Sequence, residues 1–295
     1  MYMGQKFQIK WNNVISDKFD VSNGVRQGGV MSPILFGIYI DELLIELKQK
    51  GIGCHVGHYF CGAFGYADDI ILLCPSITGL KEMNKTCESY AKEHKIAFNG
   101  SKSKLLVFGE KNTIPCIIVN GKEVEKCTKA YYLGILLDTK DKCGAVEDGI
   151  TNFNVSYNRF ISKFKTCRVS VKNKLFGQYC CSYYGSQLWP LWNKRFDNVC
   201  TQWRKAIRNV WNLPYRAHSN MLPIIADTYP LEYALESRFI KFLKSVMNSE
   251  NELVAYMANR LKNNCNSTLG HNLRHLITKY DMTVDDFSSM HIGKI

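Results

Sequence analysis

No stretch of the 295-residue chain approaches the ~20 consecutive apolar residues that a membrane-spanning helix needs. The nearest candidate, Ile34 to Leu47, is broken by Asp41, Glu42 and Glu46, which excludes a transmembrane reading. The N-terminus has no apolar signal-like core, and the 12 cysteines, including the adjacent pair Cys180 and Cys181, follow no regular spacing. These absences argue against a secreted disulfide framework and for reduced thiols inside the cell, nuclear or cytoplasmic. Neither an internal repeat nor a low-complexity segment is present. The most informative scarcity is of acids. Residues 151–216 carry 12 Lys and Arg against Asp197 alone, so this stretch holds +11 of the chain's net +12. It also holds four of the five tryptophans and 14 aromatic residues. A basic stretch interleaved with aromatics suits a polyanion that offers flat faces, and nucleic acid is the usual one.

An apolar fraction of 46% excludes a disordered chain and suffices for one large core or two ordinary ones. The first 140 residues read mainly as short strands and turns with two helices. Lys6 to Trp11 and Lys18 to Val21 are strand-like around Asn12-Asn13, and Asn23-Gly24 reads as a turn. Ser32 reads as the cap of a helix with Pro33 at its first position, Leu35, Phe36, Tyr39, Leu43 and Leu47 on one face and Gly51 at its end. Leu80, Met83, Cys87, Tyr90 and Ala91 mark a second helix, capped by Ser76 or Thr78. Asn120-Gly121 is the strongest hairpin signal in the chain, and Tyr131 to Leu137 reads as one strand. From about Val146 the period becomes helical and stays so, punctuated by Pro190, Pro214, Pro223 and Pro230. Leu231, Ala234, Leu235, Phe239, Phe242 and Leu243 form an apolar face within this region.

Two apolar runs, Phe60 to Tyr66 and Ile70 to Cys74, are separated only by Ala67-Asp68-Asp69, which predicts a tight hairpin with two acids at its tip. Adjacent ionised carboxylates repel and resist desolvation, so a cation or a turn must compensate them. One reading is a polar turn, since Asp is common there. The other is a divalent metal site in which carboxylates on a rigid hairpin hold Mg²⁺ against substrate phosphates, as two-metal phosphoryl transfer with ions ~4 Å apart requires. Cys54-His55 and His58 with Cys61 are spaced too tightly for a zinc finger pattern and lie on the run entering this hairpin, which argues against zinc.

The run Phe64-Gly-Tyr-Ala-Asp-Asp-Ile-Ile-Leu-Leu73 resembles the aromatic-Ala-Asp-Asp signature of the catalytic hairpin of reverse transcriptases. Asn23-Gly-Val-Arg-Gln-Gly-Gly-Val-Met-Ser-Pro-Ile-Leu-Phe36 resembles the preceding motif of that family, whose Arg-Gln-Gly turn opens a helix beneath the nucleotide. Phe98-Asn-Gly-Ser-Lys-Ser103 is similar to its Asn-x-x-Lys-Ser/Thr pattern, and Tyr132-Leu-Gly-Ile-Leu-Leu-Asp138 to the strand that grips the primer end. The order is that of the family, and the spelling is most like non-LTR retrotransposon polymerases of the LINE and Jockey kind. The resemblance implies Asp68 and Asp69 as catalytic metal ligands for two Mg²⁺ ions, with Lys102 acting on the leaving pyrophosphate. It implies Arg26, Gln27, Gly28, Gly29, Tyr66 and Ala67 at the nucleotide and template, and Leu133 and Gly134 at the primer backbone. Gly28 and Gly29, lacking Cβ, would let the backbone approach a ligand closely.

The expected fold is α+β. An antiparallel palm sheet with helices spans residues 1–140, followed by a basic helical thumb over 141–216 and a helical C-terminal region over 217–295. On this view Arg159, Lys163, Lys165, Arg168, Lys172, Lys174, Arg204, Lys205 and Arg208 contact nucleic-acid backbone. The alternative for these charges is a solvated helix face. The expected activity is RNA-directed DNA polymerisation, with an RNA template, a DNA primer and dNTPs as partners and no membrane.

The resemblance departs from the family at one point. The family carries a third carboxylate on a strand several dozen residues before the Arg-Gln-Gly turn, whereas only 23 residues precede Gly24 here. Asp17 and Asp20 lie on the run leading into the turn and are not read as that ligand. The expectation is therefore an N-terminally truncated polymerase with little or no activity, or alternatively a non-catalytic nucleic-acid-binding remnant of a retroelement.

Overall fold

The computed structural model describes residues 4–21, 24–109, 115–264 and 266–283. The chain divides into two compact units, one of residues 1–105 with 110–126, the other of 106–109 with 127–295. The turn read at Asn23-Gly24 lies partly outside the described residues.

The first unit opens with a long hairpin. Strand β1 (Gln5–Phe7) pairs antiparallel with β4 (Phe19–Val21), and β2 (Lys10–Trp11) with β3 (Val14–Ile15), around Asn12 at φ +51°. Helix α1 (Ser32–Lys50) follows, and Gly51 ends it at φ +64°. Next come the hairpin β5 (His55–Val56) with β6 (Tyr59–Phe60), and the hairpin β7 (Ala63–Tyr66) with β8 (Asp69–Leu72). Helix α2 (Ile77–Glu93) is capped by Ser76, whose side chain accepts the Gly79 N–H, as the sequence allowed. Strand β9 (Lys104–Leu106) pairs with β12 (Glu125–Cys127). Between them, β10 (Ile118–Val119) and β11 (Lys122–Glu123) flank Asn120 and Gly121, at φ +47° and +71°. Positive φ at both central residues is the twist-matched hairpin turn for which Asn-Gly is suited.

The core of this unit is where α1 and α2 meet the β7–β8 hairpin. Leu43, Leu47, Met83, Cys87 and Tyr90 are buried there, with Phe60, Ala63, Ile70 and Leu72 packed against them. On α1 the buried stripe runs through Ile40, Leu43 and Leu47 rather than through Tyr39, which stays exposed. The Tyr39 side chain lies at the rim, where its hydroxyl donates to the His94 carbonyl while the Tyr90 hydroxyl donates to the Tyr39 carbonyl. Burial pushes the Cys87 thiol up to about 12, so it behaves as a small apolar side chain.

The second unit begins with another hairpin, β13 (Lys129–Tyr132) and β14 (Ile135–Asp138), and continues in helices. These are α3 (Gly144–Lys163), α4 (Val169–Cys180), α5 (Lys194–Val210), α6 (Met221–Ile225), α7 (Leu231–Met247), α8 (Glu252–Lys262) and α9 (Thr268–Tyr280), with a short 3₁₀ turn at Ser186–Leu188. A single apolar core runs from Val146 to Leu276 and includes Phe153, Phe176, Trp189, Trp203, Leu235 and Phe239. Asn272, fully buried on α9, stitches that core to the segment before α5: its Oδ1 accepts the Leu191 N–H at 2.8 Å and its Nδ2 donates to the Trp189 carbonyl at 2.9 Å.

The α+β class holds. The boundaries expected at 140 and 216 do not coincide with the packing. The β13–β14 hairpin rests on α3, and the helices after residue 216 complete the same core as those before it. The expected single strand over Tyr131–Leu137 is a hairpin, because Leu133 (φ +48°) and Gly134 (φ +75°) form a tight turn between its two halves. The antiparallel pairing in the described residues consists of two-stranded ribbons. No described helix is long and apolar enough to cross a membrane.

Candidate functional site

Asp68 and Asp69 stand at the tip of the β7–β8 hairpin, both exposed. Tyr66 pairs with Asp69 across the hairpin, which leaves Ala67 and Asp68 as a two-residue loop. Ala67 takes φ +51°, a left-handed conformation that costs an L-residue roughly 1–2 kcal/mol. A strained alanine at the tip, next to two carboxylates, marks a site where backbone shape is held against local preference. The hairpin has a firm base. Gly65 faces α1 so closely that a Cβ there would lie 3.2 Å from Leu44 Cδ1. This absence of a side chain lets β7 seat directly on the helix.

The same helix carries the Arg26–Gly29 turn. The Gly29 N–H donates to the Arg26 carbonyl at 3.0 Å, and Gly28 sits at φ +78° with open space around it. Gly28 is therefore required by backbone conformation and not by a crowded neighbour. Ser32 does not cap α1 as expected. The N-cap position is Met31, which makes no side-chain cap, and the buried Ser32 hydroxyl instead donates to the Arg26 carbonyl at 2.6 Å. Arg26, Gln27 and Gly28 are exposed, so the turn presents side chains and backbone to solvent from a fixed base. Lys102 is also exposed, on a loop shaped by Asn99, whose Oδ1 accepts the N–H groups of Ser101 at 3.1 Å and Lys102 at 3.3 Å. This local role for Asn99 explains why an Asn precedes the lysine by three residues.

Leu133 and Gly134 belong to the second unit. Tyr184, which sequence reasoning did not single out, holds their turn: its hydroxyl donates to the Leu133 carbonyl at 3.0 Å, and its ring would lie 3.3 Å from a Cβ on Gly134.

The basic residues fall into two groups. Arg159, Lys163, Lys165, Arg168, Lys172 and Lys174 lie on α3, α4 and the link between them, Lys172 half-buried and the others exposed. Arg204, Lys205 and Arg208 lie on α5, where Arg208 donates to the Ala217 carbonyl and to Ser219 Oγ. Arg195 is paired with Asp141 and Glu147, which accounts for its charge structurally. The aromatics of this stretch do not form an exposed stacking surface as a set. Phe153, Phe160, Phe176, Trp189 and Trp203 are core, and Trp211 donates to Asn173 Oδ1 at 3.0 Å. Tyr179, Tyr184 and Tyr215 are the exposed ones. Amphipathic periodicity places the large rings inward, where burying apolar area is the stronger force.

Asp68 and Asp69 supply hard oxygen donors of the kind Mg²⁺ takes. Among the described residues no ion pair engages them, and no group of three or more His, Cys, Asp or Glu is placed to hold a metal ion. Two carboxylates do not complete a two-ion site.

This geometry, a strained Ala-Asp-Asp hairpin seated on a helix that opens from an Arg-Gln-Gly turn, coincides with what comparison of the chain shows. Residues 2–137 match the family model of the reverse transcriptases, RNA-dependent DNA polymerases. The chain is 24% identical over 204 residues to a probable RNA-directed DNA polymerase from transposon X-element of Drosophila melanogaster, covering 64% of this chain and 21% of that protein. It is 30% identical over 141 residues to a Pol polyprotein from the type-2 retrotransposable element R2DM of Drosophila melanogaster, covering 45% of this chain and 12% of that protein. It is 24% identical over 179 residues to the RNA-directed DNA polymerase from mobile element jockey of Drosophila funebris, covering 58% of this chain and 19% of that protein. The chain thus resembles non-LTR retrotransposon polymerases and spans about a fifth or less of the length of these relatives.

Proposed function

We propose that this chain is the part of a non-LTR retrotransposon RNA-directed DNA polymerase that binds primer, template and dNTP. The observation that carries the reading is the β7–β8 hairpin, with Asp68 and Asp69 at its tip and its base on the helix that Ser32 ties to the Arg26–Gly29 turn. In the reaction class implied, the primer 3′ oxygen attacks the α-phosphorus of a dNTP and pyrophosphate leaves. Reverse transcriptases use divalent metal ions for this step, and in this reading Asp68 and Asp69 are their ligands. The exposed turn at Arg26 to Gly29 faces a nucleotide or template base with Tyr66 and Ala67, and Lys102 offsets charge on the leaving pyrophosphate. Leu133 and Gly134 support the primer backbone. The cations of α3 and α4 follow the duplex phosphates, which gives sequence-independent binding that weakens with salt.

Among the described residues Asp68 and Asp69 have no third metal-donor side chain grouped with them, and in this reading the polypeptide binds substrates better than it turns them over. Primer extension on an RNA template with Mg²⁺ or Mn²⁺ tests this. Incorporation near background together with salt-dependent binding of a primer–template duplex is expected. Robust dNTP incorporation by the purified chain contradicts the incomplete site, and absence of duplex binding contradicts the polymerase reading.

A further inference from the structure

Two adjoining concavities on the second unit share one lysine and include no acidic side chain. The first, of about 430 Å³, is lined by Arg204, Lys205 and Arg208 of α5 and by Tyr215, Arg216 and His218 of the loop that follows. The second, also about 430 Å³, lies along α3 and α5, where Asn154, Asn158 and Gln202 join Lys205 over Phe153 and Tyr157. The cationic cavity is preformed. Arg208 Nε and Nη2 donate to the Ala217 carbonyl at 3.2 and 3.0 Å, Nη2 also reaches Ser219 Oγ at 2.9 Å, and the Leu213 N–H donates to the Arg208 carbonyl at 2.8 Å. That leaves the Arg208 Nη1 donors for a ligand, beside the Arg204, Lys205 and Arg216 side chains. Tyr215 stands 80% exposed at the rim, a ring with no packing role.

We propose that the two concavities form one binding site for single-stranded nucleic acid. A phosphate enters the arginine-lined cavity, the Tyr215 ring takes a base, and the amides of Asn154, Asn158 and Gln202 face the edge of a neighbouring unpaired base. The chemistry separates this ligand from a duplex. A duplex keeps its bases stacked and their edges paired, out of reach of the amides and the ring, whereas a flexible strand can turn a phosphate into one concavity and an unpaired base toward the other. Side-chain amides pair with base edges that are unpaired, and an exposed ring stacks on any base. Lys205, common to both concavities, sits where the backbone passes from one to the other. The site does not depend on the polymerase reading.

Fluorescence anisotropy with a labelled oligonucleotide of about 12 nucleotides, as single-stranded RNA, single-stranded DNA and duplex, tests the proposal on the full chain. Lys205→Ala with Arg216→Ala is expected to weaken single-strand binding about tenfold and to flatten the log–log salt slope by about 0.7 per cation removed. Duplex binding should change less than about twofold. Tyr215→Ala, at an exposed ring whose loss leaves folding intact, is expected to cost roughly tenfold in single-strand affinity with the salt slope unchanged. Lys163→Ala with Lys165→Ala should do the reverse, weakening the duplex and sparing the single strand. Unchanged single-strand affinity in the pocket variants overturns the proposal, and so does an equal loss for the duplex, which would make the pocket part of the duplex track. Primer extension is not read in this experiment, so its outcome is independent of whether the chain polymerises.

Discussion

The Ser32 hydroxyl, 5% exposed, donates to the Arg26 carbonyl across six residues at 2.6 Å and fixes the Arg-Gln-Gly turn to the first turn of α1. The bond does two jobs, since Arg26 also accepts the Gly29 N–H that closes the turn.

Ser32→Ala removes the donor and leaves a carbonyl with one partner fewer in a part-buried setting. A loss of about 1–2 kcal/mol in stability is expected, read as a lower urea midpoint with an unchanged m-value. Affinity for a nucleotide at the turn should fall further than the affinity for duplex, because the turn loosens while the cations of α3 and α4 are untouched.

The two hairpin turns Asn120-Gly121 and Leu133-Gly134 have nearly the same φ angles, +47° and +71° against +48° and +75°. The first is spelled as physical chemistry prefers and the second is not, since Leu gains nothing from the left-handed region. Leu133→Asn should therefore stabilise the second unit by about 0.5–1 kcal/mol, and Asn120→Leu should destabilise the first by a similar amount. Thermal melts of the two variants check both signs. If primer affinity falls in the stabler Leu133→Asn variant, the leucine is retained for function.

The contrast between these turns shows where the sequence is legible. Asn120-Gly121 announces its hairpin, and the paired acids between apolar runs announce theirs, because turn chemistry and period-2 alternation act over a few residues. Leu133-Gly134 conceals a hairpin inside an apolar run, since a strained leucine looks like strand. Ser32 was legible as a helix start but not in its role, because whether a hydroxyl caps or reaches back six residues depends on the path of the preceding loop. The basic stretch was legible in charge but not in the fate of its aromatics, which tertiary packing draws inward. Tyr184 and the Arg204–His218 pocket depend on contacts between separate segments, for which local pattern carries no signal.

Asp138, the last residue of β14, has a buried side chain. The Lys140 and Asp141 N–H groups donate to its Oδ1 at 2.9 and 3.1 Å, and Lys129 Nζ sits 3.1 Å from Oδ2. The Lys140 N–H foremost, then the Lys129 side chain and the Asp141 N–H, hold its carboxyl below the usual carboxylate range against the opposing effect of burial. Asp141 is lowered too, first by Arg195 and then by the Cys143 N–H. A depressed folded-state value means that both groups add stability above the unfolded value of about 3.9, and that it is lost as pH falls through the folded value. The second unit should thus begin to lose stability below about pH 4, and Asp138→Asn should flatten that loss while lowering stability at neutral pH. Urea midpoints measured between neutral and acid pH on the two proteins check the sign.

Gly149 lies inside α3, where replacing glycine by alanine ordinarily stabilises a helix by about 1 kcal/mol. Here a Cβ would stand 2.2 Å from Trp189 Cζ2 and 2.5 Å from its Cη2. Trp189 is 2% exposed and its carbonyl is held by Asn272, so the ring cannot swing away without opening the core of the second unit. The crowding outweighs the helix preference, and Gly149→Ala should destabilise by about 1–3 kcal/mol or more. Gly177 in α4 provides the control, because nothing lies within 4 Å of a Cβ there. Gly177→Ala should raise the melting temperature while Gly149→Ala lowers it, and equal shifts of one sign would show that Trp189 does not constrain α3.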